Sequence, residues 1–453
     1  MKKKLLSSFG LTILSSGLFF GFNFYIAKVL GADIYGEITY YLSFIQIIVL
    51  LISFNYAALY MGNKITREDS NTFSLFVSIE SLAFLIIVVP AYFVINQYIN
   101  NNEITILILM IAYFLTITTL VGLKYNADKD IGSSILFSAL IPRVLLIVLF
   151  LLVLFVASGT AKNYLYMYLI SFIFVAGYFI IKFRPKWYIK KEIFSRAWKF
   201  YLLGIIGGSV AYIAQIFQKE YGSYTELASL AIAMLLISGL SLVGGILIKF
   251  ALPKIHEAWK ERNIKQLGEL YSTHTFLSSM VNVPILIFLL YFIETISKFM
   301  GEGYTSLPMI FYILSVGYLF DLMTGITGTI LRATEHEHIE IYNEIFRFVV
   351  GIGLLFLLRN QDFGVAYAIS ASMVIYNVAK FFQIYRLFGI KPIHLKDFIL
   401  LMIYSLLLSI VLYVVSFIEN LGISLLIAIF VMLGYYAIVY KNMKNIINLG
   451  VYK

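Results

Sequence analysis

Five ionisable residues stand inside long apolar runs of this chain: Glu80, Arg143, Asp321, Glu344 and Arg347. In hydrocarbon such a side chain costs roughly 2.5–3.5 kcal/mol at the centre of a helix, so each needs a partner or a task. The two arginines suit an anionic group, because the guanidinium offers a planar fork of donors. Arg143 follows Pro142 and has no acid three or four residues away. Arg347 has Glu344 three residues before it on the same helical face, so this pair can also neutralise itself. Asp321 lies among Gly317, Tyr318, Thr324 and Gly325, and Glu80 among Phe76, Val77, Ala83 and Phe84, with no positive charge nearby in sequence. Asp321, Glu80 and Glu344 can therefore take up a proton or Na⁺ and couple a gradient, or serve as static partners of the arginines. Lys28, Lys124, Lys219, Lys249, Arg332 and Lys380 fall at the ends of the runs, where snorkelling to head groups is the ordinary role.

The elements that hold these residues follow from composition. Of the 453 residues, 61% are apolar and 13% charged, against about 45–50% and 25% in soluble globular chains. Stretches of about 20 apolar residues span a membrane as helices. Fourteen are expected, near 6–27, 36–60, 72–96, 104–122, 134–157, 163–182, 198–218, 225–250, 274–293, 306–331, 340–358, 362–386, 395–417 and 421–440. None alternates as a barrel strand does. The fold class is therefore an all-α polytopic membrane protein. Cysteine is absent, which removes disulfides, thiol catalysis and cysteine-bound metals.

With fourteen spans both termini share one side. That side carries 27 of the 34 Lys and Arg, the other 5, and two lie within spans. Positive residues stay inside, so both termini are expected in the cytoplasm. The outer loops are short and leave no domain to hold an acceptor, and no Gly-rich loop ends in Gly-Lys-Ser/Thr, so neither glycan polymerisation nor ATP hydrolysis is expected, and no catalytic residue is assigned. Nothing points to nucleic acid. Two basic inner segments, 183–199 and 254–273, mix aromatic and apolar residues with Lys and Arg and are expected to lie on the anionic leaflet. Glu335-His-Glu-His338 does not read as a metal site, because residues two apart do not share a helical face.

A weak internal repeat divides the chain. Lys28-Val-Leu-Gly31 with Tyr35-Gly-Glu-Ile38 matches Lys219-Glu-Tyr-Gly222 with Tyr224-Thr-Glu-Leu227. Pro90 matches Pro284, Lys124 matches Arg332, and Arg143 matches Arg347, all at similar offsets. The expected organisation is a six-helix lobe (1–182), a basic linker (183–199), a second six-helix lobe (198–390), and two further helices with a tail (391–453). A six-span repeat preserves topology, which relates the lobes by a pseudo-twofold axis along the membrane normal with a site between them. Arg143 and Arg347 would then face each other, and Lys124 and Arg332 would stand where cargo enters from the cytoplasm.

Four stretches carry a family resemblance. They are Ala27–Glu37 (AKVLGADIYGE), Ala251-Leu-Pro253 with the basic helix after it, Met300–Tyr304 (MGEGY), and Ile330–Thr334 through Asn343 to Asp362–Ile369 (DFGVAYAI). The chain resembles Wzx-type polysaccharide flippases of the multidrug/oligosaccharidyl-lipid/polysaccharide exporter superfamily. Lys28 stands where arginine is frequent, Asn55 where a glycine turn is common, and fourteen spans exceed the usual twelve. The resemblance implies two lobes around a central cavity and alternating access. It also implies export of an undecaprenyl-diphosphate-linked oligosaccharide across the bacterial cytoplasmic membrane. Arg143, Arg347, Lys124, Arg332, Lys28 and Lys219 would meet the diphosphate. No cofactor is implied beyond a coupling ion, H⁺ or Na⁺. Partners would be membrane lipids, a polysaccharide polymerase and a chain-length regulator. A cation-coupled drug exporter and a lipid II flippase of the same superfamily are the alternatives.

Overall fold

The computed structural model describes residues 2–53, 71–128, 130–156, 159–188, 194–418 and 421–446. Asn55, Lys190 and Lys191 lie outside them. The described residues form fifteen α-helices: α1 (Lys2–Ile52), α2 (Asn71–Ile99), α3 (Asn102–Ala127), α4 (Ile131–Ile135), α5 (Ile141–Val156), α6 (Ala161–Phe183), α7 (Phe194–Tyr221), α8 (Tyr224–Lys260), α9 (Ile264–Met300), α10 (Leu307–Thr324), α11 (Thr327–Ala333), α12 (Glu337–Leu358), α13 (Gly364–Phe388), α14 (Leu395–Ser416) and α15 (Leu421–Ile446). Twelve are long and apolar enough to cross a membrane, and Gly422–Ala437 adds a shorter apolar stretch. One of the twelve, Gly10–Ile52, runs through Gly31, whose φ of 80° breaks α1 into two arms. A side chain rarely adopts that angle, which is why glycine stands there. Counting both arms and the last stretch, the helices match the fourteen expected spans.

The chain forms two compact units, residues 1–228 and 229–453. In the first unit, α2, α3 and α6 bury Phe73, Phe76, Ile117, Val121 and Phe179 in one apolar cluster. Between α4 and α5 the backbone makes a π-turn, Leu136–Leu140, closed by the Ile141 N–H on the Leu136 carbonyl. Pro142 lies at its end and cannot donate a helical hydrogen bond, so a wider turn is accommodated here. One extra residue in a turn offsets the face of the helix beyond it by about 100°. This sets the direction of Arg143, one residue on.

In the second unit two expectations are corrected. The span expected over 306–331 is not one helix. α10 stops at Thr324, Gly325 takes φ 64° and ψ −140°, and α11 is a separate short helix. The freed Thr324 carbonyl accepts a hydrogen bond from Tyr271 OH at 2.6 Å. The segment 254–273 does not lie on the leaflet. It is the end of α8 and the start of α9, and its apolar face (Ile255, Ala258, Leu267, Leu270 and Tyr271) is buried against Ile326, Ile330 and Leu331 around α11 and Ile384 of α13. The same amphipathic pattern serves either surface. A short helix that must bury its own apolar residues decides which.

α10 and α13 pack closely. Ser370 Oγ donates to the Ile313 carbonyl at 2.7 Å and accepts from the Gly317 N–H at 3.0 Å.

Candidate functional site

The buried charges of the second unit converge on α10, α12 and α13. On α12, Glu340, Glu344 and Arg347 follow at i, i+4 and i+7, which puts them on one face. On α13, Tyr376, Asn377 and Lys380 turn toward them. Lys380 Nζ lies 3.0 Å from Glu340 Oε1, with both side chains under a tenth exposed. The same ammonium donates to Tyr376 OH, which donates to Glu344 Oε1. Arg347 lies 3.4 Å from Glu344 Oε2 and covers the Tyr376 ring at 5.3 Å. Beside this network Asn343 and Gln383 exchange two amide hydrogen bonds, at 2.7 and 2.8 Å. Gly328 of α11 presses on the ion pair from the other side. A Cβ there would stand 2.2 Å from Glu340 Oε1.

Asp321 joins the cluster through Asn377, whose amide reaches its carboxylate and whose Oδ1 accepts from Thr324 Oγ1 at 3.1 Å. Lys380 and Arg347 are close enough to act on Asp321 electrostatically. Among the described side chains, three carboxylates (Asp321, Glu340, Glu344) therefore share two cations. The cluster is one positive charge short. It sits beside the break at Gly325, and a surplus of carboxylate among apolar helices suits a proton or a monovalent cation.

In the first unit the two charges within apolar helices, Arg143 and Glu80, are held without a charged partner among the described residues. Arg143 donates through one terminal nitrogen to the Ser15 carbonyl at 2.9 Å and to Ser15 Oγ at 2.6 Å, and its guanidinium faces the Phe19 ring at 4.8 Å. All three partners are neutral. Glu80 is 1% exposed on α2, and among the described residues its Oε2 has no hydrogen-bond partner.

The other basic residues stand at helix ends. Lys124 pairs with Asp128 at 3.1 Å and faces the Phe183 ring. Lys219 pairs with Glu220 at 3.0 Å and faces Tyr40. Arg332 Nε donates to the Gly328 carbonyl at 3.2 Å, and Lys28 is exposed. Lys380 corrects the sequence reading. It does not snorkel, because Glu340 and Tyr376 hold it inside the unit. Glu340 and Tyr376 were not singled out by the sequence reading. The signal was present as Glu340-x3-Glu344-x2-Arg347 and Tyr376-x3-Lys380, each a single helical face.

No family model matches the chain, and no curated protein matches it. Solved structures do. A structure described as the lipid II flippase MurJ in an inward closed conformation is similar with a TM-score of 0.72 at 19% identity, covering 97% of this chain and 99% of that one. An inward-facing multidrug resistance MATE family transporter of the MOP superfamily gives 0.59 at 15%, covering 83% of this chain and 96% of that one. A MOP superfamily transporter from Pyrococcus furiosus, whose binding pocket is described as of reversed polarity, gives 0.57 at 14%, over 84% and 92%. The chain shares the fold of these structures, at low identity and, for the first, over nearly the whole length of both chains.

Proposed function

We propose that the protein is a flippase that moves an undecaprenyl-diphosphate-linked oligosaccharide from the cytoplasmic to the outer leaflet of the cytoplasmic membrane by alternating access. One observation carries the reading. Arg143 holds a formal positive charge among membrane-spanning helices with a hydroxyl, a carbonyl and a phenyl ring as its contacts. An uncompensated guanidinium favours an anionic cargo over a cationic drug, and its free donors match a diphosphate. Lys124 and Arg332 serve the cytoplasmic approach, Lys28 and Lys219 the outer one. Asp321, with Asn377 and the Lys380–Glu340–Tyr376–Glu344–Arg347 network, takes up the coupling ion, since this cluster lacks one positive charge. Glu80 is a second carboxylate of the same kind. Both termini lie in the cytoplasm, and a polymerase and a chain-length regulator act on the cargo afterwards.

A lipid II flippase is the second reading. The lipid II flippase structure aligns with 97% of this chain, the MATE structures with less of it. The two readings share the lipid carrier and differ in the glycan.

The test is reconstitution in sealed vesicles carrying an undecaprenyl-diphosphate oligosaccharide. Leaflet exchange is read as accessibility of the glycan to an impermeant lectin or glycosidase, with and without a proton or Na⁺ gradient. Protein-dependent exchange is expected. Folded protein that exchanges neither this oligosaccharide nor lipid II would refute the reading.

A further inference from the structure

One face of α9 carries His274, Ser278 and Asn282 at four-residue spacing. His274 is 2% exposed and Asn282 is fully buried. Among the described residues neither ring nitrogen of His274 has a hydrogen-bond partner, and neither has Asn282 Oδ1. Tyr318 OH on α10, equally buried, lies beside Ser241 of α8 but outside hydrogen-bond geometry, and among the described residues it has no other partner. These atoms share one seam. Tyr271 OH on the Thr324 carbonyl and Ser279 Oγ on the Leu322 carbonyl at 3.4 Å set α9 antiparallel to α10. Asn282 then lies at the level of Tyr318, and His274 near that of the Gly325 break. From α8, Gly244 faces the same seam. A Cβ there would stand 3.1 Å from Ser278 Oγ, and the His274 ring lies beside the Gly244 carbonyl outside hydrogen-bond geometry. Tyr318 is three residues, one helical turn, from Asp321.

An orphaned buried polar group costs about 1–3 kcal/mol, and such groups in folded proteins are almost always satisfied by protein or ordered water. Four orphaned atoms along one seam define a path, and water with two to four partners each would satisfy them together.

We propose that this seam holds a file of water that carries protons between His274 and Asp321, which makes H⁺ the coupling ion and His274 its relay. The proposal rests on the reading of Asp321 as the coupling carboxylate. A neutral imidazole has one donor and one acceptor nitrogen. It accepts a proton from water on its unprotonated nitrogen, becomes imidazolium, turns, and releases that same proton to the next water. Mass and charge balance, and the ring is left in its first tautomer. The titratable groups facing this stretch are Tyr318 and Asp321 from α10, His394 before α14 (on Ser272 at 3.0 Å), Tyr435 and Tyr436 from α15, and Tyr271 of α9 itself. α8 contributes Ser241 and Gly244.

Radiolytic hydroxyl-radical footprinting of the full chain in vesicles tests the water directly. Buried residues beside ordered water are oxidised at rates normal for exposed ones. His274 and Tyr318 are expected to label strongly, while Phe76 and Phe179, equally buried but in the apolar cluster of the first unit, stay unlabelled. Labelling of His274 and Tyr318 no greater than that of Phe179 overturns the proposal without touching the coupling role of Asp321. If the seam labels, His274→Gln should leave exchange without a gradient intact and abolish its stimulation by a proton gradient. Full stimulation in that variant, with Asp321→Asn abolishing it, assigns the water a structural role and also overturns the relay. Gradient response unchanged in Asp321→Asn refutes the coupling reading itself.

Discussion

Replacing Lys380 by methionine isolates the buried ion pair. Both partners are almost completely removed from solvent, with side chains 6% and 7% exposed at a separation of 3.0 Å. The discount that applies to a surface pair does not apply here. Lys380→Met keeps most of the side-chain volume but strands Glu340, whose Oε2 has no hydrogen-bond partner among the described residues. It also removes a donor from Tyr376 OH. Breaking a buried pair by deleting one partner costs about 3–5 kcal/mol, because the remaining charge is uncompensated. The cluster would move from one positive charge short to two. Removing both charges in Lys380→Met with Glu340→Gln should recover most of that loss, since a buried pair replaced by groups of similar volume is often nearly neutral. The assay is equilibrium unfolding in mixed micelles of rising SDS fraction, followed by near-UV circular dichroism. A loss below about 1 kcal/mol in the single variant is what an exposed pair gives. That result, or a double variant as unstable as the single one, would refute the buried-pair argument.

Arg143→Ala should abolish exchange of the lipid-linked oligosaccharide while leaving the protein inserted and folded, and Arg143→Lys should restore only part, because an ammonium lacks the planar fork. Normal exchange by Arg143→Ala would remove it from the cargo path. Asp321→Asn should make exchange independent of an imposed gradient, measured with proton and Na⁺ gradients separately. Undiminished gradient dependence would leave it a structural residue. Gly325→Ala should destabilise by at least about 2 kcal/mol, because the backbone angles there are essentially confined to glycine and the new Cβ must displace a neighbour. That Cβ would stand 2.1 Å from Thr275 Oγ1. Unchanged SDS unfolding would show that the break relaxes freely.

The sequence alone determined the class of this protein, an all-helical chain of many apolar spans. Hydrocarbon admits only segments that satisfy their own backbone, so apolar length is sufficient information. It also singled out Arg143, Asp321 and Glu80, since an ionisable residue in an apolar run is conspicuous in one dimension. The Glu344–Arg347 pair was legible for the same reason, as a single helical face. The tertiary structure decided what spacing along one helix cannot. It alone placed Lys380 of α13 on Glu340 of α12, because a lysine six residues from the end of its expected span can reach either the head groups or a neighbouring helix. It broke the tenth span at Gly325, where Tyr271 from α9 supplies the hydrogen bond that the helix gives up. It folded the basic stretch 254–273 inward, because α11 offered an apolar face that the leaflet would otherwise have provided. In each case the deciding partner lies on another helix, tens of residues away, and the free energy comes from burying paired polar groups or matching apolar faces together.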